Sequence, residues 1–226
     1  MKALLFDMDG VLVDVSASYR VAIVRTVEHF SGIKLSAARI QAYKDAGGFN
    51  NDWELTRQAL RDLGVEVTLQ EVIPVFQQFY VGDNFDGLIR YERWLLRPET
   101  AARLRASYAL GVVTGRPRRE AEWTVKRAEM QTLFGTLVTM DDIPPWRQKP
   151  HPDGLLLAME HLGASEGWYV GDTVDDIIAA KRARLVPIAV AGGLSQQERT
   201  AREALLCSRG AIAVIDDVNC VEAILK

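Results

Sequence analysis

The chain opens on a short apolar run, Ala3 to Phe6, that stops at the acidic turn Asp7-Met8-Asp9-Gly10. A run of this length bounded by Asp and Gly predicts a buried strand delivering its last residues to a sheet edge. Asp7 and Asp9 lie two apart, so an extended backbone points both carboxylates the same way. From about Val15 to Leu96 the pattern turns helical. Val21, Val24, Val27 and Phe30 recur at three-residue spacing, which predicts one apolar helix face. A second helix is expected from Ser36, as its N-cap, to the Gly47-Gly48 stop, and a third from about Asp52 to Leu63. Thr68 and Glu71 have capping-box spacing and predict a fourth, which Pro74 should kink or delay.

From about Arg97 strand and helix alternate. Helices are expected over Pro98–Tyr108, Arg118–Met130, Asp153–Leu162, from after Asp172 to about Arg184, Ser195–Cys207 and Val218–Leu225. Strands are expected over Leu110–Val113, Leu137–Met140, Trp168–Val170, Val186–Ala191 and Ala211–Ile215. Such alternation builds a parallel sheet with helices on both faces. The fold class is therefore α/β: a doubly wound, Rossmann-like core of residues 1–14 and 97–226, with an inserted all-helical cap of residues 15–96. In sheets of this kind ligands bind beyond the C-terminal strand ends.

Composition narrows the function little. The formal net charge of −3 speaks against a general nucleic-acid binder. The longest apolar stretch, Val186 to Leu194, is too short to span a bilayer and contains Pro187. No signal peptide is expected, since Asp7 and Asp9 interrupt the first apolar run. Cys207 and Cys220 make neither a metal-ligand pattern nor a disulfide framework, which fits free thiols in a cytoplasmic protein.

The polar strand ends carry the chemistry. Asp7/Asp9, Thr114-Gly115, Asp141/Asp142 and Asp172 each follow an expected strand, with Lys149 in the loop after the third and Asp175 and Asp176 opening the helix after the fourth. This set suits phosphoryl transfer. A carboxylate can be the nucleophile and form an aspartyl phosphate. Because it approaches a dianion, positive charge must offset the repulsion. Asp7 and Asp172 offer oxygen ligands to Mg²⁺, a hard cation, and Lys149 adds a second positive charge. Thr114 and nearby backbone N–H groups can bind phosphate oxygens. Asp9 can protonate the leaving oxygen and then activate water.

Four motifs stand in order: DMDGVLVD at Asp7–Asp14, VVTGRP at Val112–Pro117, KPHPD at Lys149–Asp153 and GDTVDD at Gly171–Asp176. On these the sequence resembles the haloacid dehalogenase superfamily, in the phosphoglycolate phosphatase-like branch with a helical cap. The resemblance spans the core segments and implies Asp7 as nucleophile and Asp9 as general acid/base. It implies Thr114 as phosphate ligand and Lys149 as stabiliser of the phosphoryl group and nucleophile. The metal would be held by Asp7, the Asp9 backbone carbonyl, Asp172 and, through water, Asp176. Asp175 is a weaker substitute for Asp176. The presence of Asp9 disfavours the dehalogenase and phosphonatase branches. One departure is the helix end Lys181-Arg182-Ala183-Arg184-Leu185, which lacks the glycine common before the next strand.

The expected activity is Mg²⁺-dependent hydrolysis of a small phosphorylated metabolite. A phosphomutase of the beta-phosphoglucomutase type and a non-catalytic binding module on the same scaffold stay open as alternatives. The substrate and oligomeric state are not given by the sequence. Gly115 and Arg116 are candidate substrate contacts, with a solvated charge as the rival reading for Arg116. Asn50 and Asn51, within GGFNNDW at Gly47–Trp53, are either helix-turn caps or substrate contacts. His29 and His161 read as structural or surface residues, His151 as a weak candidate for substrate contact, and Trp146 as loop packing.

Overall fold

The computed structural model describes residues 1–225. The chain forms two units: residues 1–13 joined by the chain from Trp94 onward, and Asp14–Arg93. It passes between them through two short strands, β2 (Val13–Asp14) and β3 (Arg93–Trp94), which pair with each other. Leu95 N–H donates to Leu12 O at 2.8 Å, so the return into the first unit begins before the expected residue 97.

In the first unit β1 (Ala3–Phe6) is completely buried at all four residues. That is why its sequence is a continuous apolar run rather than an alternating one: both faces of a parallel sheet are covered. It pairs in parallel with β4 (Ala109–Val113) on one side and β6 (Gly167–Gly171) on the other, Ala3 lying opposite Ala109 and Gly167. With β5 (Thr136–Val138), β7 (Val186–Val190) and β8 (Ala213–Ile215), the six-stranded order is β5-β4-β1-β6-β7-β8. The connecting helices are α5 (Pro98–Ser107), α6 (Arg118–Arg127), α7 (Asp153–His161), α8 (Val174–Arg182) and α9 (Gln196–Arg209). Ala3, Leu5, Val113 and Val138 of the sheet pack with Leu155, Ala158 and Met159 of α7 and with Ala179 and Ala180 of α8. The strand order reverses at β1, which makes its C-terminal end the switch point where ligands bind in such sheets.

The second unit holds α1 (Tyr19–Ser31), α2 (Ala37–Ala46), α3 (Asp52–Asp62) and α4 (Leu69–Tyr80). The buried face of α1 is Tyr19, Ala22, Ile23, Thr26 and Val27, which shares only Val27 with the three-spaced set. A step of three residues falls 60° short of a full turn, so Val21, Val24, Val27 and Phe30 drift around the helix. Tyr19 stacks on Tyr80 with ring centroids 4.0 Å apart. α4 starts at Leu69 behind its capping box and runs through Pro74 without delay. Its stripe Val72, Phe76 and Tyr80 is wholly buried, and that packing outweighs the ~3 kcal/mol that an interior proline costs.

Several expected ends move, three of them instructively. β5 stops at Val138 because Asp142 Oδ2 accepts from Thr139 N and Oγ1 at 2.7 and 2.9 Å, closing a capping box over a 3-10 turn at Met140–Asp142. Asp141 and Asp142 are therefore spent locally, Asp141 on the Arg118 N–H and Asp142 also on the Arg118 guanidinium. The last element, Val218–Ala223, is a 3-10 helix. At the end of α8, Arg184 adopts φ 60° where glycine is usual. Leu185 N donates to Ala180 O at 2.9 Å and Arg184 N to Lys181 O at 3.1 Å, a Schellman ending built on a non-glycine residue. Among the described residues no helix is long and apolar enough to cross a membrane.

Candidate active site

Three strand ends deliver the central groups. Asp7 follows β1, Thr114 follows β4 and Asp172 follows β6. The loop after Phe6 must turn hard to keep Asp7 at the sheet edge. Gly10 takes φ 74°, and a Cβ there would sit 2.3 Å from Asp172 Oδ2. Glycine is thus required twice, for the left-handed backbone and for the close approach to Asp172.

Lys149 enters the loop before α7, and its ammonium ends between two carboxylates. Nζ lies 2.8 Å from Asp7 Oδ1 and 2.7 Å from Asp176 Oδ1, and 3.0 Å from the Tyr169 hydroxyl. All three carboxylate and ammonium side chains are almost fully buried. Asp176 is the hub of the group. Its Oδ1 meets Lys149 and Tyr169, while Oδ2 accepts from Thr173 Oγ1 at 2.6 Å, Thr173 N at 2.9 Å and Asp172 N at 3.2 Å. It therefore fixes both the lysine and the loop that carries Asp172. Arg202 of α9, also buried, adds a hydrogen bond to the Asp172 carbonyl.

The electrostatics follow from burial and from this sharing of one cation. Burial pushes the Asp7 carboxyl up to about 7; Lys149 opposes the shift, and Asp176 and Asp9 add to it. For Asp176 burial works the same way, but Lys149 and the Thr173 hydrogen bonds overcome it and hold the carboxyl below its ordinary value. Burial alone would lower Lys149, yet Asp176 and Asp7 together hold it well above the usual ammonium range. Without a metal, then, one lysine neutralises Asp176 and leaves Asp7 short of positive charge.

The oxygens of Asp7, Asp172 and Asp176 come within 4.8 Å of one another. A cluster of hard anionic oxygens next to an under-neutralised carboxylate is the donor set that Mg²⁺ favours. Both oxygens of Asp176 are already engaged by Lys149, Tyr169, Thr173 and the Asp172 N–H.

Thr114 is buried, and its Oγ1 accepts from Arg116 N at 3.2 Å while its own N–H is held by Val138 O. The Gly115 N–H has no acceptor among the described residues. Arg116 is not a solvated charge: its side chain is 0% exposed, paired with Asp9 and hydrogen-bonded to Thr124. Asp175 is buried as well, but the acidic cluster forms around Asp176. His29, His151 and His161 are exposed, and so is Trp146 at 75%.

In the helical unit Asn51 is the N-cap of α3, its side chain accepting from Trp53 N at 2.9 Å and Glu54 N at 3.4 Å. Lys44 of α2 pairs with Asp52 at 2.6 Å, and Tyr43 meets Phe49 edge-on. The Gly47–Trp53 stretch is thus tied to both helices it connects.

Sequence reasoning missed Tyr169, Thr124 and Arg202. Tyr169 gave one usable signal: a tyrosine inside a buried strand needs a partner for its hydroxyl.

The geometry can be set beside known proteins. The family model described as haloacid dehalogenase-like hydrolase matches residues 1–184. A protein of Phytophthora nicotianae named imidazoleglycerol-phosphate dehydratase is 40% identical over 200 residues, covering 84% of this chain; the chain spans only 43% of that relative's length. Pyrophosphatase PpaX of Bacillus velezensis is 27% identical over 190 residues, covering 80% of this chain and 79% of its own. Among solved structures, a predicted phosphoglycolate phosphatase from Haemophilus somnus superposes with a TM-score of 0.76 at 21% identity, covering 100% of this chain and 98% of that one.

Proposed function

The chain belongs to the haloacid dehalogenase-like hydrolases, and on that premise we propose that it is a Mg²⁺-dependent phosphatase that hydrolyses small phosphate monoesters through Asp7. The observation that supports this most is Lys149 Nζ held 2.8 Å from Asp7 and 2.7 Å from Asp176 at the switch point of the sheet. A buried cation there has one evident use, to let an anionic nucleophile and an anionic substrate share a dry site.

Asp7 and Asp172 would hold Mg²⁺, with the Asp9 carbonyl as a further oxygen ligand and Asp176 anchoring the loop behind them. The bound metal would orient the phosphoryl group and spread its charge. A carboxylate oxygen of Asp7 attacks phosphorus, and the ester P–O bond breaks. The leaving oxygen takes a proton from Asp9. A water then gives its proton to Asp9 and attacks the aspartyl phosphate. The P–O bond to Asp7 breaks, releasing inorganic phosphate and restoring the carboxylate. Thr114 Oγ1 and the Gly115 N–H bind phosphate oxygens, and Lys149 follows the charge from nucleophile to phosphoryl group. Asn50 is the candidate for recognising the leaving group, since Asn51 is engaged as a helix cap.

The names of the relatives suggest the phosphate compounds to try. They point to the ester phosphoglycolate, to the anhydride pyrophosphate and, from the Phytophthora protein, to an imidazole-bearing alkyl phosphate. The test is phosphate release from such a panel with Mg²⁺, after chelation, and after Mg²⁺ is restored. Release should stop with EDTA and return with Mg²⁺. No release from any ester by the Mg²⁺-loaded protein, or full release after rigorous chelation, would overturn the proposal. Steady release also separates a phosphatase from a mutase, which retains the phosphoryl group within its substrate.

A further inference from the structure

Arg116 is among the largest completely buried side chains of the molecule. Leaving a guanidinium in the interior is strongly unfavourable unless it is paired and hydrogen-bonded. Its main chain is fixed at both ends, N–H to Thr114 Oγ1 at 3.2 Å and C=O to Met140 N at 3.1 Å. Its Nη1 donates to Thr124 Oγ1 of α6 at 2.8 Å. Another edge of the fork is aimed at Asp9. Nε donates to Asp9 Oδ1 at 2.8 Å, and Nη2 meets the same oxygen.

That both contacts fall on one oxygen is the informative detail. Arginine commonly meets a carboxylate fork to fork, engaging both oxygens. Here Oδ1 carries the arginine and Oδ2 does not. A carboxyl group can keep accepting at one oxygen while the other gains or loses a proton. The proposed reaction asks this of Asp9, protonated when the leaving oxygen departs and deprotonated when water attacks.

We infer that Arg116, braced by Thr124, is a positioning residue that clamps Asp9 by Oδ1 and leaves Oδ2 to carry the proton in both half-reactions. It acts through Asp9 and makes no contact with the phosphate. This rests on the phosphatase reading, and the experiment keeps the two separable.

The measurement is kcat and KM for wild type, Arg116→Met, Arg116→Lys, Thr124→Val and Asp9→Asn on two esters. One is 4-nitrophenyl phosphate, whose leaving group needs little help from an acid. The other is the best alkyl phosphate from the panel. Losing a well-placed acid typically costs 10²–10⁴-fold, and the cost grows with the basicity of the leaving group. Arg116→Met should therefore lower kcat/KM, which reports phosphoryl transfer to Asp7, about 100-fold on the alkyl ester and about tenfold or less on the aryl ester, while kcat falls on both because they share the water-attack step. Thr124→Val should show the same ordering on a smaller scale, and Arg116→Lys should recover part of the loss. Added to Asp9→Asn, Arg116→Met should change kcat by less than about threefold, because both act on one group.

Equal losses of kcat/KM on the two esters would overturn the inference. So would a KM that rises with kcat kept, which is the mark of a phosphate contact. If Arg116→Met fails to fold, Thr124→Val decides by the same comparison. A wild type that releases phosphate from no ester overturns the phosphatase reading itself and this inference with it.

Discussion

Replacing Asp7 by asparagine should stabilise the metal-free protein while removing its activity. In the fold, burial raises the Asp7 carboxyl from an ordinary 3.8 to about 7. A raised carboxyl means that the native state binds the proton more tightly than the unfolded chain. Stability tied to this group is then complete below pH 3.8 and lost as the pH climbs to about 7. At about 1.4 kcal/mol for each step of one in pH, the loss approaches ~4 kcal/mol at pH 8. For a chain of this size that corresponds to roughly 8–16 °C in melting temperature, as an upper figure, since the site relaxes. An asparagine removes the titrating charge yet keeps a carbonyl oxygen for Lys149 Nζ, now 2.8 Å from Asp7 Oδ1. The assay is a thermal melt of wild type and Asp7→Asn in EDTA at pH 4, 6 and 8. The variant should melt higher at pH 8, with the gap closing toward pH 4. Adding Mg²⁺ should raise the wild type more than the variant, because only the wild type keeps the full donor set. A gap that does not depend on pH, or a variant melting below wild type in EDTA at pH 8, would refute the reasoning.

Two further predictions concern single helix ends. Asn51→Ala should cost about 1 kcal/mol through loss of the α3 cap, whereas Asn50→Ala should leave the melt unchanged and alter kcat/KM selectively among leaving groups. Indistinguishable melts for the two variants would remove the cap assignment. Arg184→Gly should stabilise by up to ~1 kcal/mol by relieving φ 60° on a residue with a Cβ, after allowing for glycine's greater unfolded-state freedom. Arg184→Ala is the control and should show no gain; a Gly variant that melts no higher than the Ala variant would count against strain at this turn.

What the sequence made legible was what neighbouring residues decide. Ala3–Phe6 is a buried strand because the whole run is apolar, and Ser195, with Glu198 three places on, caps α9 as its spacing indicates. Asp7, Thr114 and Asp172 could be singled out because each follows an apolar run that the sheet aligns, and Lys149 by its place in the KPHPD stretch. The rest depended on residues far apart in the chain. Nothing near Arg116 says that its guanidinium meets Asp9 and Thr124 instead of water. Tyr169 joins Lys149 and Asp176 only once β6 lies beside β1. The α1 stripe was misplaced because a three-residue repeat imitates a helix face over two turns and then leaves it. Pro74 weakens a helix locally, and its effect was overruled by the buried stripe on either side of it.

The central position of β1 has a consequence for how the protein is made. β1 is synthesised long before either of its neighbours, Ala3 pairing with Ala109 in β4 and Gly167 in β6. Chain closure over such distances is slow, and an apolar strand with two open edges is exposed to wrong partners meanwhile. The segment Asp14–Arg93 has its own buried helix faces and is complete in the nascent chain before either neighbour of β1 exists. During synthesis the inserted helices can therefore fold first, shortening the effective loop that β1 must close to reach β4.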